Sequence, residues 1–304
     1  MIPTLLQMFA LIALGLGWSW FNPGQMSSQT IRKVLTDIVY FIFLPALVLN
    51  VLWNASLGLD TLKISLSAAA GVIVSMLLSI YICRRCHTRP HIVGAVVLAA
   101  AFPNATYLGY PLLQNTLGQW AGPIAIQYDL LACTPLLLTV GIMLAARFGN
   151  KGEKPHPFFT LIKVPPLWAA AIAILLNLSQ VQSPEWFQGL LSMMGSAVIP
   201  LMLIAIGLAL KQGFGETRYL LTVIPVVIIQ LFIMPVTVWG MSQLLNMGHE
   251  LTVAVVLEGA MPSMALGVVL CDRYGLNTGV YAAAVTTTTL LSLFTLPFWF
   301  QLVQ

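Results

Sequence analysis

Charged residues are scarce in this sequence: Asp, Glu, Lys and Arg make up only 7% of its 304 residues, whereas soluble domains carry about 25%. Hydrophobic residues account for 59% of the chain, and the mean hydropathy is +0.92. A water-soluble fold cannot cover this much apolar surface with so few polar side chains. The composition therefore excludes a soluble globular protein and predicts a polytopic membrane protein.

Signatures of several other protein classes are also missing. The longest polar run, FGNKGEKPHP at 148–157, is too short for a catalytic or DNA-binding domain, so we expect no nucleic-acid partner. No H-E-x-x-H, G-x-S-x-G or Walker A motif occurs, so we expect neither an enzyme nor direct drive by ATP. Residues 1–21 lack a basic leader and an A-x-A site, and we expect them to be a first span, not a signal peptide.

Only four cysteines are present, and two of them, Cys83 and Cys86, stand near His87 and His91 with a zinc-like spacing. Structural zinc usually folds a small domain, and the sequence has no such domain here. We therefore interpret these two cysteines as unpaired thiols at a helix end beside a basic turn, and expect no resident cofactor or metal.

Ten apolar stretches are long enough to cross a bilayer, which needs about 20 residues. The sequence therefore predicts an all-α fold with ten transmembrane helices. The stretches lie at 2–20, 31–53, 61–83, 91–117, 121–146, 158–179, 186–210, 219–245, 250–272 and 278–302. Helix-breaking residues interrupt the fourth and the ninth.

The basic residues alternate between the two sides of this predicted topology. With the amino terminus outside, the inner loops hold 12 of the 13 Lys and Arg residues, and only Lys63 lies elsewhere. Cytoplasmic loops of membrane proteins carry such an excess of Lys and Arg. We therefore predict a multi-pass protein of the plasma or inner membrane, with both termini on the extracytoplasmic side.

The two halves of the chain resemble each other. Residues 96–103 read VVLAAAFP and residues 255–262 read VVLEGAMP, with five of the eight positions identical. Five spans per half would turn the second copy upside down, which is a transporter architecture. We predict a first repeat at 1–147, a short cytoplasmic connector at 148–157 and an inverted repeat at 158–304, with interrupted helices 4 and 9 crossing near mid-membrane.

Two motifs carry a resemblance to a known family. FPNATYLGYPLL at 102–113 and EGAMPSMALGVVLCDRYG at 258–275 resemble the fourth-span and ninth-span elements of the auxin efflux carrier family. The resemblance implies a fold shared in outline with bile acid sodium symporters. It further implies a scaffold of spans 1, 2, 6 and 7, a transport core of spans 3–5 and 8–10, elevator-like alternating access and small organic anions as substrates.

The interrupted helices predict a binding site for a carboxylate. A broken helix exposes free N–H groups, and its macrodipole places about half a positive charge there. The residues expected to cause the breaks are Pro103, Gly109, Pro111, Pro262 and Gly267. The residues expected to contact the substrate are Asn104, Ser263, Thr106 and Tyr107. Two alternatives stay open: Asn104 only satisfies backbone freed by Pro103, and Ser263 bonds its own helix.

Intramembrane acids are the second set of candidates, because a charge within a bilayer is costly. We expect Glu258 to couple transport to an ion, as a Na⁺ ligand or as a proton carrier; the alternative is a protonated glutamic acid that bonds the broken backbone. Asp129 and Thr288 are further ion-coupling candidates, against structural roles in packing. Asp37 is expected to pair with Lys33 four residues earlier.

Three functions remain open at this point. The first is a secondary transporter, uniport or symport, of a small organic anion. The second is a Na⁺-coupled symporter of a larger amphipathic anion, closer to the bile acid type. The third is a membrane sensor of an anion, which the short inner loops disfavour. For the oligomeric state, the plant carriers imply a homodimer and the bile acid relatives a monomer.

Overall fold

The computed structural model describes residues 1–22, 26–151 and 161–304, and these residues are almost entirely helical, with no β-strand among them. We number twelve helices in chain order. They are α1 (Ile2–Phe21), α2 (Ser28–Trp53), α3 (Leu59–Arg85), α4 (Pro90–Ala101), α5 (105–116), α6 (Gln119–Phe148), α7 (Pro165–Leu178), α8 (Glu185–Phe214), α9 (Thr217–Leu244), α10 (His249–Gly259), α11 (Gly267–Tyr274) and α12 (Thr278–Val303).

Seven of these helices are long enough and apolar enough to cross a membrane: α1, α2, α3, α6, α8, α9 and α12. Large apolar side chains project from their outer faces, and Leu6, Leu77 and Phe294 are each more than 60% exposed. Such side chains would be costly in water and suit contact with lipid tails. The chain is therefore a multi-pass membrane protein.

The two spans predicted to be interrupted, the fourth and the ninth, are each divided into two helices in the structure. The fourth predicted span, 91–117, is divided into α4 and α5, and the ninth, 250–272, into α10 and α11. Each gap between the two helices contains a proline, Pro103 or Pro262, which cannot donate a backbone hydrogen bond. The sixth predicted span, 158–179, contains α7 from Pro165 onwards. Most of the predicted connector at 148–157, together with 158–160, lies outside the described residues.

Wide π-helical turns occur within several of the long helices. Among the described residues there are five: Val39–Phe43, Ala105–Gly109, Asp129–Cys133, Leu137–Gly141 and Ile229–Ile233. All but Leu137–Gly141 end two residues before a proline, at position 45, 111, 135 or 235. A proline removes one hydrogen bond and crowds the preceding turn, and a wider turn relieves both effects.

The helices pack in two groups. In one group α2 packs against α7 and α8, and α1 packs along α8. In the other, α3 packs on α4 and α9, α9 packs on α10 and α12, and α12 also contacts α4 and α10. The helix pairs α4/α5 and α10/α11 belong to the second group, so their interruptions lie inside protein rather than in lipid. Helices α8 and α12 join the two groups.

Candidate functional site

The two interruptions meet each other in the middle of the second group. The extended backbone of Pro103 pairs with that of Ser263 in an isolated antiparallel bridge. The Asn104 N–H donates to the Pro262 carbonyl at 2.8 Å, and the Met264 N–H donates to the Phe102 carbonyl at 3.0 Å. Each break therefore supplies hydrogen-bond partners to the other, which a lipid environment would not provide.

A serine replaces the hydrogen bond that Pro103 cannot make. In an unbroken helix the N–H of residue 103 would donate to the carbonyl of Ala99, four residues earlier. Pro103 has no N–H, and the Ser263 hydroxyl donates to the Ala99 carbonyl instead, at 2.6 Å. Ser263 is fully buried. The structure thus gives Ser263 a role in satisfying broken backbone and places it away from the cavity described below.

Three neighbouring side chains support the second break. The Thr288 hydroxyl accepts from the Ser263 N–H at 3.2 Å and donates to its own helix. The Tyr281 hydroxyl donates to the Met264 carbonyl at 2.8 Å. The amide of Gln230 donates to the Met261 carbonyl at 2.9 Å. Thr288 therefore lies at the crossing, where its hydroxyl hydrogen-bonds backbone groups.

A cavity of about 460 Å³ lies against the crossing on the α5 side. Asn104, Thr106 and Tyr107, all predicted to contact substrate, line it. The Asn104 side chain is only 4% exposed, and its carboxamide makes no hydrogen bond with any described residue. Its donors and acceptor are therefore available to a ligand in the cavity, and the Asn104 carboxamide does not serve the backbone freed by Pro103.

Asp129 faces the same cavity from α6. One of its carboxylate oxygens accepts a hydrogen bond from the Thr106 hydroxyl, and the other accepts one from the Thr134 hydroxyl at 2.9 Å. Thr134 follows Asp129 by five residues, which in a regular α-helix would point it to a different face. The π-turn Asp129–Cys133 brings the two together, since the Thr134 N–H donates to the Asp129 carbonyl.

Glu258 packs against α5 and does not line the cavity. It is fully buried on α10, and neither carboxyl oxygen has a hydrogen-bond partner within the described part of the chain. It packs directly against Gly109: a Cβ at that position would overlap the Glu258 carboxyl. The turn Ala105–Gly109 thus contacts two carboxyl groups, that of Asp129 through Thr106 and that of Glu258 at Gly109.

Of the other predicted break residues, Pro262 lies within the crossing, whereas Gly109, Pro111 and Gly267 lie close to it. Gly109 and Pro111 are inside α5, where the π-turn Ala105–Gly109 precedes the proline. Gly267 begins α11, and its lack of a side chain makes room for the ring of Tyr281. Pro262 lies in the second interruption and accepts the hydrogen bond from Asn104.

A second cavity of about 540 Å³ adjoins the first and shares Thr36, Asp37, Ala265, Leu266 and Val269 with it. Arg32 and Lys33 line the second cavity, and Arg273 lines the first. Asp37 is exposed here, and the ion pairs of the described residues do not include one between Asp37 and Lys33. The predicted pairing is therefore wrong, and Asp37 lines both cavities instead.

Sequence reasoning missed several residues of the cavity wall. Tyr40, Thr134 and Arg273 line it, and Tyr281 holds the second break from outside it. The Thr-Pro pair at 134–135 is a usable signal, because a proline in a span predicts a widened turn before it. Nothing in the sequence marks Tyr40 and Tyr281 as site residues, since most aromatic residues in transmembrane helices only pack against their neighbours.

These features define a class of protein. Interrupted helices that pair with each other inside an apolar helical bundle, beside a cavity that polar side chains line, are an arrangement found in solute transporters. Comparison with known proteins agrees. A family model described as membrane transport protein matches residues 1–300, so the chain belongs to this family, the auxin efflux carrier-like family. The resemblance predicted from the two motifs is confirmed.

The relatives of this chain are transporters from archaea and bacteria. It is 28% identical to an uncharacterized transporter of Methanothermobacter thermautotrophicus, over 91% of this chain and 89% of the relative. It is 27% identical to the uncharacterized transporter MJ1031 of Methanocaldococcus jannaschii, over 98% of each protein. It is 23% identical to the uncharacterized transporter YfdV of Escherichia coli, over 71% of this chain and 70% of the relative.

Proposed function

We propose that this protein is a secondary transporter of a small organic anion, a carboxylate, that binds where the two interrupted helices cross. The observation that carries the proposal is the Asn104 carboxamide, which is almost completely buried, lines the cavity and has no hydrogen-bond partner among the described residues. The polar atoms of this carboxamide are open to the cavity, because Asn104 is not among the residues with fully enclosed polar atoms that lack a partner. A ligand with hydrogen-bonding oxygens can accept from the amide there.

Backbone N–H groups next to Asn104 favour a negatively charged ligand. The first hydrogen bonds within α5 run from Leu108 and Gly109 to the Asn104 carbonyl, at 3.2 Å each. The N–H groups of residues 105–107 precede these bonds and have no acceptor in the described part of the chain. Such N–H groups at the start of a helix attract anions, because the helix dipole adds positive charge there.

The proposed mechanism is elevator-like alternating access. It rests on a ten-span, inverted-repeat arrangement in which α4/α5 and α10/α11 are the broken helices of the two repeats. The group of α1, α2, α7 and α8 would be the scaffold, and the group around the crossing would be the moving core. The contacts within each group support this division. The cavity leads toward Arg273, Arg32 and Lys33, which by charge is the cytoplasmic side.

Direct transport assays test this function. Purified protein in proteoliposomes is loaded with a panel of radiolabelled mono- and dicarboxylates, with pH and Na⁺ gradients varied independently. We expect saturable uptake of at least one small carboxylate that unlabelled carboxylates inhibit. Uptake confined to large amphipathic anions, and only with a Na⁺ gradient, would instead favour the bile acid type of symporter. No uptake of any anion would reject the proposal.

Glu258 is the residue we propose for coupling to H⁺ or Na⁺. A fully buried carboxylate without partners is strongly unfavourable, so it must bind a proton or a cation. We expect Glu258→Gln to abolish the dependence of uptake on the ion gradient and to leave substrate exchange in place. The matched control is Glu250→Gln, an exposed acid on the same helix. Gradient dependence that survives in Glu258→Gln would remove the coupling role.

A further inference from the structure

A carboxylate and two tyrosine rings stand together on the wall of the cavity. Asp129 on α6, Tyr40 on α2 and Tyr107 on α5 all line it. Asp129 accepts a hydrogen bond from Thr106, the residue next to Tyr107. Tyr107 is almost completely buried, whereas Tyr40 and Asp129 are half-buried and accessible from the cavity. Three helices therefore contribute to one small patch that combines a negative charge with aromatic faces.

The contacts of Asp129 fit an ionised carboxylate. Both hydrogen bonds that it accepts come from hydroxyl groups, those of Thr106 and Thr134. Each oxygen keeps a further lone pair, because a carboxylate accepts about two hydrogen bonds per oxygen. The hydroxyls bring no positive charge, and the ion pairs of the described residues do not include Asp129. In its ionised form, Asp129 therefore presents negative charge to the cavity without an ion-pair partner among the described residues.

Other charged groups on this wall do not reverse its sign. They are Asp37 and Arg273, so the wall carries two acids and one base. The Arg273 guanidinium lies over the ring of Tyr274, 5.6 Å from its centre. A substrate with a second carboxylate would therefore place negative charge beside Asp129 and lose affinity.

A positively charged group suits this patch. Carboxylates attract ammonium groups, and the faces of tyrosine rings attract them as well, the more so when water is excluded. The other end of the same short segment offers the opposite chemistry, since Asn104 and the first N–H groups of α5 attract a carboxylate. Asn104 and Thr106 are only two residues apart in the chain and line the same cavity, so one short segment carries the contacts to both chemistries.

We propose that the transported carboxylate also carries an ammonium group, as amino acids do. The ammonium group binds at Asp129 between Tyr40 and Tyr107, and the carboxylate binds at Asn104 and the start of α5. This inference rests on the proposed function and adds the substrate class. It also gives Asp129 a role in substrate binding in place of the ion-coupling role considered from the sequence.

Matched pairs of carboxylates that differ only by the amino group test the proposal. Alanine with propionate, and aspartate with succinate, are compared by uptake and by competition in proteoliposomes. We expect the wild-type protein to favour the amino member of at least one pair by about tenfold or more, the gain of one good charged contact. In Asp129→Asn that preference should disappear, while uptake of the member without nitrogen stays equal or rises.

Two further variants keep the test decisive. Asp60→Asn changes an exposed acid that pairs with Lys63, and it should retain the wild-type preference. If Asp129→Asn does not fold, Thr134→Val removes one of the two hydroxyl donors and should lower the preference without abolishing uptake. An unchanged preference in Thr134→Val would then overturn the role of Asp129.

The remaining outcomes separate this inference from the proposed function. Uptake of propionate or succinate in preference to the amino members would overturn the ammonium site and leave a carboxylate transporter standing. An equal loss of both members in a well-folded Asp129→Asn protein would also overturn it. Uptake of neither member of any pair, with no uptake of other anions, would reject the proposed function as well.

Discussion

Asn104→Ala is expected to lower the apparent affinity for the transported carboxylate by about 10- to 100-fold. The substitution removes hydrogen bonds to a charged group, which contribute about 1.5–3 kcal/mol each, and every 1.4 kcal/mol or so is a factor of ten in affinity. Folding should be little affected, because the Asn104 carboxamide bonds no described residue and the backbone contacts of residue 104 do not involve its side chain. Concentration-dependent uptake in proteoliposomes measures the effect.

Asn115→Ala is the matched control for this substitution. Asn115 lies on the same helix, and its side chain donates to the Pro111 carbonyl at 2.8 Å, away from the cavity. We expect uptake by Asn115→Ala to equal that of the wild type. Wild-type affinity in Asn104→Ala, with both variants expressed at the same level, would remove Asn104 from the binding site.

Gly109→Ala is expected to destabilise the protein by about 1–3 kcal/mol, as insertion of a methyl group into a packed interior does. The added Cβ would overlap the carboxyl of the fully buried Glu258, so that this side chain must shift within a packed interior. Replacing Glu258 with Ala makes room for the added Cβ. The double variant Gly109→Ala/Glu258→Ala should therefore be more stable than the sum of the single changes predicts, by about 1 kcal/mol or more.

Thermal unfolding in detergent measures this double-mutant cycle. Gly17→Ala is the control, since Gly17 lies in α1 and a Cβ there would meet no atom within 4 Å. It should be neutral or slightly stabilising, because alanine favours helix more than glycine. Additive effects of Gly109→Ala and Glu258→Ala would show that α5 and α10 do not make this contact.

Much of the fold could be predicted from composition and charge. Apolar length and the alternation of Lys and Arg identified the long helices, because the bilayer imposes both. Pro103 and Pro262 located the two interruptions, since a missing N–H has a local effect on the helix that contains it. The helix at 105–116 could not be predicted in this way. Gly109 and Pro111 were predicted to break it, yet both lie inside a helix in which a π-turn accommodates the proline.

The site was harder to predict because its contacts join distant segments. Asn104, Thr106 and Tyr107 line the cavity, as does Asp129, since each follows from one local segment. Ser263 read as a substrate contact, but it hydrogen-bonds Ala99, which is 164 residues away in the chain. The contact between Gly109 and Glu258 likewise depends on how two helices meet. No pattern within either helix alone carries that information.

The crossing of the two interruptions is the claim on which the site depends, and disulfide formation tests it most directly. Phe102→Cys and Met264→Cys are introduced together into a variant without native cysteines. Opposite residues of an antiparallel pair have Cα atoms about 4.5–5.5 Å apart, which is within disulfide range. We predict rapid intramolecular cross-linking under mild oxidation. We predict none for Leu113→Cys with Met264→Cys, since Leu113 lies about 12 Å along α5 from its first residue, Ala105, at roughly 1.5 Å per residue. Failure of the first pair to cross-link in the folded protein, or equal cross-linking of both pairs, would contradict the crossing.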